Sequence, residues 1–260
     1  MAEPSDWDAG TYQRVSEPQL AWGRQVVGRI ALEGDEDALD AGCGTGRVTR
    51  LLAERLPRGT VLAVDASPAM VEEAARQLAD LPRVRMMVAD LTTLEVPEPV
   101  DLIVSTATFH WILDQSLLYH RLHGALRPGG RLVAQCGGAG NIARTLRAAA
   151  AVAARVPYAA SLEGMEDTWV FADHHATAER LEDAGFGDVQ AWLEDAPAHF
   201  PDVDAGTEFL ATVVLRPHLT RLPPALRGAF ARDVAELCVI DDGRVEVDYV
   251  RLNMEARRPA

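Results

Sequence analysis

The 260-residue chain contains no lysine; all 25 of its basic residues are arginine. That absence excludes Schiff-base chemistry, and it excludes a P-loop, whose lysine reaches the phosphates. Against 39 acidic residues the formal charge is −14, and no basic run occurs. Polynucleotides and anionic membrane surfaces are held by clustered cations, so neither is an expected partner. No apolar run is long enough to cross a bilayer, and residues 1–10 are polar and acidic where a signal peptide would be apolar. Cys43, Cys136 and Cys238 are odd in number and widely spaced, which gives neither a disulfide framework nor a Cys-x-x-Cys metal pattern. A reducing, cytoplasmic compartment is expected. Aromatic residues make up only 6% of the chain. Trp7, Tyr12 and Trp22 therefore form a dense group near the start, either covering the edge of the core or, through Tyr12, forming part of a lid over a bound cofactor.

What is present is an alternation of apolar runs and helical patterns. The spacing of Leu20, Gly23, Val26, Val27 and Ile30 predicts an amphipathic helix over about residues 16–32. Strands are expected at 37–41, 60–65, 84–89, 100–105 and 131–136. Helices between them are expected at 47–56, 67–78 (with Ser67 as cap and Pro68 at the first helical position) and 117–126. This rhythm calls for an α/β fold, a Rossmann-like doubly wound sheet with right-handed crossovers. Beyond Gly137-Gly138 the rhythm breaks. An alanine-rich helix at 143–156 and an irregular stretch at 157–175 are followed by a helix at 176–184, a strand at 189–193 and two helical segments over 205–238. Residues 244–257 read as one long final strand, apolar on both faces and so suited to the interior of a covered sheet.

The turn after the first strand carries the chemistry. Gly42, Gly44 and Gly46 alternate, with Arg47 at the sixth position. A dinucleotide-binding turn needs its third glycine at that sixth position, where the helix N-terminus receives the pyrophosphate. The turn is tight and lets a ligand lie on bare backbone, but it lacks the usual provisions for phosphate. Asp65 ends the second strand, placed to accept both ribose hydroxyls. Asp90 ends the third, placed to accept from an exocyclic adenine amine. An adenosine without phosphates fits better than NAD or ATP.

The run Asp40-Ala-Gly-Cys-Gly-Thr-Gly46, followed by Asp65, Asp90 and Arg127-Pro-Gly-Gly130, resembles the class I S-adenosylmethionine-dependent methyltransferases over residues 35–138. The resemblance implies a seven-stranded sheet with an antiparallel last strand and S-adenosylmethionine as cofactor. It implies that Asp40, Gly42, Cys43, Gly44 and Gly46 meet the methionine part, Asp65 the ribose, Ala66 and Met70 the faces of the adenine, and Asp90 with Leu91 its amine edge. Ser105 and Thr106 would face the cofactor near the methyl group. Trp7-Asp8-Ala9-x-x-Tyr12 and Ala107-x-Phe109-His110-Trp111 are similar, more narrowly, to the trans-aconitate methyltransferase group of small-molecule enzymes. The expected organisation is a single domain. It comprises an N-terminal helical lid (1–34), a cofactor core (35–138), a substrate cap with one strand (139–243) and a C-terminal strand (244–260), with the helical cap drawn from the N-terminus, 139–175 and 200–240.

Methyl transfer from a sulfonium is an in-line displacement that needs positioning and exclusion of water more than covalent help. An ionised carboxylate acceptor needs no base, whereas a phenol, amine or carbon gains from one. His110, just past the fourth strand, is the candidate base; its alternative is a structural hydrogen bond at a helix start. Trp111, Tyr158 and Trp169 are, with His110, the candidate walls for a small-molecule acceptor. Arg144, Arg147 and Arg155 would either bind an anion or lie on a solvated helix face. Glu163, Glu166 and Asp167 form an acidic loop. Asp173 with His174 and His175 reads as a capped helix start, so no metal is expected, and Cys43 reads as packing. Three functions remain open: methyl transfer to a carboxylate or hydroxyl oxygen, transfer to carbon or nitrogen with a base such as His110, and non-catalytic binding of S-adenosylmethionine or NAD-dependent oxidoreduction.

Overall fold

The computed structural model describes residues 17–165 and 168–260. Helix α1 (Glu17–Arg29) buries Leu20, Trp22, Val26 and Val27 along one stripe. Five strands with three α-helices among them follow: β1 (Asp37–Ala41), α2 (Arg47–Arg55), β2 (Thr60–Asp65), α3 (Pro68–Gln77), β3 (Val84–Val88), β4 (Val100–Thr106), α4 (Gln115–Ala125) and β5 (Leu126–Gly137). The second half holds α5 (Ala143–Ala153), α6 (Ala159–Leu162), α7 (His174–Asp183), β6 (Gly187–Asp195), β7 (Ala198–Phe200), α8 (Val203–Phe209), α9 (Arg216–Arg221), α10 (Pro224–Leu237), β8 (Val245–Val247) and β9 (Val250–Arg257).

Seven strands form one sheet in the order β3-β2-β1-β4-β5-β9-β6. Strands β1 to β5 are parallel, and β9 runs antiparallel between β5 and β6, as the resemblance implied. Side chains along each strand point alternately to the two faces, so each face has its own core. Ala38, Leu102, Val104 and Val133 face α1 and α2, while Leu39, Ile103, Leu132 and Met254 face α4 and α7. No helix among the described residues is long and apolar enough to cross a membrane.

Three expectations are corrected. The strand expected over 244–257 is two strands in two sheets: β8 pairs with β7 in a separate ribbon, and only β9 joins the main sheet. The break falls at Asp248, whose carboxylate accepts from the backbone N–H of Arg144 (2.7 Å) and Thr145 (3.1 Å) and from the Thr145 hydroxyl (2.8 Å). Those are the orphan donors at the start of α5, where Ile142 has no side chain able to cap. One acid thus ends a strand in order to cap a helix far away in sequence. The segment 139–243, expected to carry one strand, carries both β6 and β7. Arg127-Pro-Gly-Gly130, expected to lie between helix and strand, is an insertion within β5: Leu126 pairs with Val100, and pairing resumes at Leu102 with Arg131. Arg127 then bridges Asp37 (2.9 Å) and Asp101 (2.6 Å) at the amino ends of β1 and β4, remote from the ligand edge.

The cap has its own core, in which Phe209, Leu210, Phe230, Val234 and Val245 are fully or almost fully buried. It is closed by α5, α8, α10 and the β7–β8 ribbon. Between α8 and α9, residues Leu210–Val214 make a π-helical turn, a feature common at functional sites.

Candidate active site

At the carboxyl end of β1 the chain turns tightly. The N–H groups of Gly42 and Cys43 both donate to the Val64 carbonyl, at 2.8 and 2.9 Å, which locks the turn to β2. Gly46 has φ +83, and a Cβ there would stand 2.7 Å from Leu78 Cδ1 and 3.2 Å from the Ala74 Cβ, so α3 packs closely against this glycine. Gly44 also has positive φ (+53), yet a Cβ there would meet nothing within 4 Å. Packing therefore explains Gly46, while Gly44 presents bare backbone to open space. Asp65 orders that backbone, accepting from the Gly44 N–H with Oδ2 and from the Ser67 N–H with Oδ1, each at 2.9 Å. Burial raises the Asp65 pKa, and the N–H groups of Ser67, Gly44 and Ala66 restrain the rise.

Asp40 lies beneath the turn, 1% exposed, with Oδ2 accepting from the Thr49 hydroxyl at 2.6 Å. Its Oδ1 is buried without a hydrogen-bond partner among the described residues. Burial pushes its pKa up to about 6 against the pull of Thr49, and the Asp65 charge pushes the same way. The Cys43 thiol is buried and its pKa is raised, first by burial and then by both acids, which suits packing and opposes nucleophilic use. Beyond β2, Ala66 is exposed and Met70 buried; beyond β3, Asp90 is exposed and Leu91 buried. Asp90 Oδ1 also accepts from the Thr92 N–H (2.8 Å) and hydroxyl (2.7 Å), holding the short 3-10 turn Leu91–Thr93. Ser105 is fully buried and donates to the Ala41 carbonyl at 2.6 Å, so its hydroxyl ties β4 to β1. Thr106 is half-buried. Thr108, absent from the expected set, packs its hydroxyl on the turn, 3.2 Å from the Gly42 carbonyl oxygen. Tyr12 and residues 1–16 of the lid expected over 1–34 lie outside the described residues, as do Glu166 and Asp167 of the acidic loop.

Beside this edge a pocket enclosing roughly 470 Å³ of empty space, its mouth included, opens between sheet and cap. His110 and Trp111 enter it from the 3-10 turn Phe109–Trp111, Trp169 and Phe171 from the 168–173 loop, and Val213 and Val214 from the π-helical turn. Gln19 and Trp22 of α1, Asn141 and Ile142, and Tyr249 and Arg251 complete its lower wall. Arg251 is 2% exposed, its guanidinium carbon 4.3 Å over the Trp22 ring and 5.9 Å from that of Tyr249. His110 Nδ1 accepts from the Gly137 N–H at 3.3 Å, which leaves the ring proton on Nε2. Burial, with the Arg251 charge adding to it, pushes the imidazole pKa down to about 3.

A family model described as a methyltransferase domain matches residues 38–130. The trans-aconitate 2-methyltransferase of Methylobacterium radiotolerans is 33% identical over 235 residues, covering 87% of this chain and 86% of that protein. The chain belongs to the class I S-adenosylmethionine-dependent methyltransferases. The enzyme of the same name from Methylobacterium nodulans is 31% identical over 271 residues, covering 98% and 99% of the two chains. Phosphoethanolamine N-methyltransferase 2 of Haemonchus contortus, solved with phosphomonomethylethanolamine and S-adenosylhomocysteine, superposes with a TM-score of 0.64 at 17% identity, covering 97% of this chain and 57% of that one. At that identity the likeness speaks for the fold alone.

S-adenosylmethionine is therefore the cofactor of this methyltransferase, and the turn suits it. Gly44 leaves an open face, the strand-end acids Asp65 and Asp90 lie on one edge, and no lysine is available for a phosphate. The pocket brings together three of the expected acceptor residues, His110, Trp111 and Trp169. It does not include the fourth. Tyr158 is buried in the cap core, its ring 5.2 Å from Phe230 and its hydroxyl donating to Asp233 at 2.8 Å, because α6 turns it inward. Arg144 is likewise held elsewhere, by Glu246 at 3.0 Å. Asp173 caps α7 through the His175 N–H, as expected.

Arg251 is the functional candidate that the sequence reading missed. One signal was available: an arginine interrupts the apolar face of Val245, Val247 and Tyr249. Its position is topological, because β9 runs antiparallel and so delivers its first residues to the carboxyl edge, with Arg251 opposite Gly137.

Proposed function

We propose that this methyltransferase methylates a carboxylate oxygen of a small organic acid. Arg251 carries the proposal: a guanidinium buried in the wall of a pocket beside the cofactor turn is a receptor for an anion, and carboxylates are its geometric match. Relatives that bear the name trans-aconitate 2-methyltransferase, which denotes a carboxylic acid, support the same class.

When bound, S-adenosylmethionine supplies a methyl group made electrophilic by a sulfonium. The chain's task is to hold and orient. Gly42, Gly44 and Asp40 would receive the methionine part and Asp65 the ribose; Ala66, Met70, Asp90 and Leu91 would border the adenine, with Thr106 near the methyl. Arg251 would fix the acceptor carboxylate, with the His110 Nε2–H as a second donor. Trp111, Trp169 and Phe171 would keep water out. A carboxylic acid with pKa near 4 is already ionised at neutral pH, so no proton needs to leave. His110, with a pKa near 3, is too weak a base to deprotonate a phenol or a carbon acid, which removes the main support for a base-assisted C- or N-transfer.

The test is turnover against a panel of carboxylic acids, phenols and amines, with product mass and sensitivity to mild alkali recorded. Methyl esters are cleaved by alkali. A panel yielding only alkali-stable methylated products overturns the proposal.

A further inference from the structure

We infer that the acceptor carries a single carboxylate on a planar, apolar body. This rests on the carboxylate reading above and narrows it. In the described lining Arg251, His110 and Asn141 come together around Gly137, with Gln19 and the Tyr249 hydroxyl as further polar groups but no second cation. Arg251 is the one cation there among the described residues, and the −14 charge of the chain offers a polyanion no general attraction.

The rest of the pocket is of another character. The rings of Trp169 and Phe171 lie parallel within 11°, 5.9 Å apart, and Trp111 stands 5.6 Å from Trp169. The π-helical turn adds Val213 and Val214. A second or third carboxylate pushed against these walls would lose its hydration without gaining a second cation. A flat unsaturated or aryl body would instead bury apolar surface against rings that favour offset stacking. In the reaction the carboxylate oxygen forms the O–CH3 bond as the S–CH3 bond breaks. That electron pair stays on sulfur, and the anion and the sulfonium become a neutral ester and a neutral thioether with no proton moved.

The experiment compares trans-cinnamate (planar, one carboxylate) with trans-aconitate (planar, three) as acceptors for the full chain with S-adenosylmethionine. The expected kcat/KM for trans-cinnamate exceeds that for trans-aconitate by about tenfold or more, a discrimination that unpaired polar groups readily produce. Arg251→Gln should raise KM for trans-cinnamate by about a hundredfold, as loss of a buried charged partner does, with S-adenosylhomocysteine binding by calorimetry retained. Trp169→Ala should raise the same KM by about tenfold through lost stacking. A kcat/KM for trans-aconitate equal to or above that for trans-cinnamate overturns the inference and leaves carboxylate methylation standing. Turnover of phenols or amines with none of either acid overturns both.

Discussion

Replacing Asp40 by asparagine tests the electrostatics of the cofactor turn. The carboxyl group is 1% exposed, and its pKa stands at about 6 against an ordinary 3.8. Below the lower value both folded and unfolded chains hold the proton, and the group contributes nothing. Between the two values the folded chain holds it more tightly, so stability falls as pH rises; above about 6 the full cost is reached. At about 1.4 kcal/mol per unit, the roughly two-unit gap costs about 3 kcal/mol at pH 7 and about 1.6 kcal/mol at pH 5. The amide of Asp40→Asn has its own desolvation cost, but that cost does not depend on pH and drops out of the comparison. Urea titrations of the cofactor-free protein at both pH values give the variant's stability relative to the parent. Relative to the parent, the variant should lose about 1.4 kcal/mol on going from pH 7 to pH 5. A stability difference that is the same at both pH values refutes the reasoning.

Other expectations follow from the same geometry. His110 has its folded pKa below its unfolded one, so the stability it contributes is lost as pH falls from about 6.5 towards 3. His110→Asn, whose Oδ1 can replace Nδ1 as acceptor, should reduce the acid sensitivity between pH 7 and pH 5 by about 2 kcal/mol, read by urea titration. No ionisation of His110 should appear in the pH–rate profile between about pH 6 and 8, and a limb there that vanishes in the variant would refute its neutral role. Gly46→Ala should cost about 2–3 kcal/mol, since its Cβ meets Leu78 at positive φ. Gly44→Ala should cost only about 1 kcal/mol for its φ, yet weaken S-adenosylhomocysteine binding by about tenfold or more in calorimetry. Asp65→Asn should weaken the same binding by about tenfold or more, because it alters the group that orients Gly44 and that is proposed to receive the ribose.

Much of the core was legible because its signals are local. Apolar runs ending in acids gave β1, β2 and the edge of β3 close to their observed limits, and the Ser67-Pro68 start of α3 appears as expected, with Ser67 accepting from the Met70 N–H. Ser105 shows the limit of that legibility. The resemblance implied a hydroxyl facing the cofactor, but the hydroxyl donates to the neighbouring strand, and no pattern within β4 announces the Ala41 carbonyl. Tyr158 failed for a related reason: an aromatic residue in an irregular stretch looks like a pocket wall until the helix beneath it, bearing Phe230 and Asp233, is in place.

The glycine turn and the acids at the strand ends were legible in the sequence alone. Glycine conformation, the acid after an apolar run and the start of a helix are all decided within a few residues, where backbone sterics and hydrogen bonding act over short range. The acceptor end was decided only by tertiary structure. Arg251 faces His110 because Asp248 breaks the last segment to cap α5, and because β9 then enters the sheet antiparallel beside β5. Both events are contacts between stretches far apart in the chain. They are set by which surfaces must be buried together, and no periodicity along the chain encodes them.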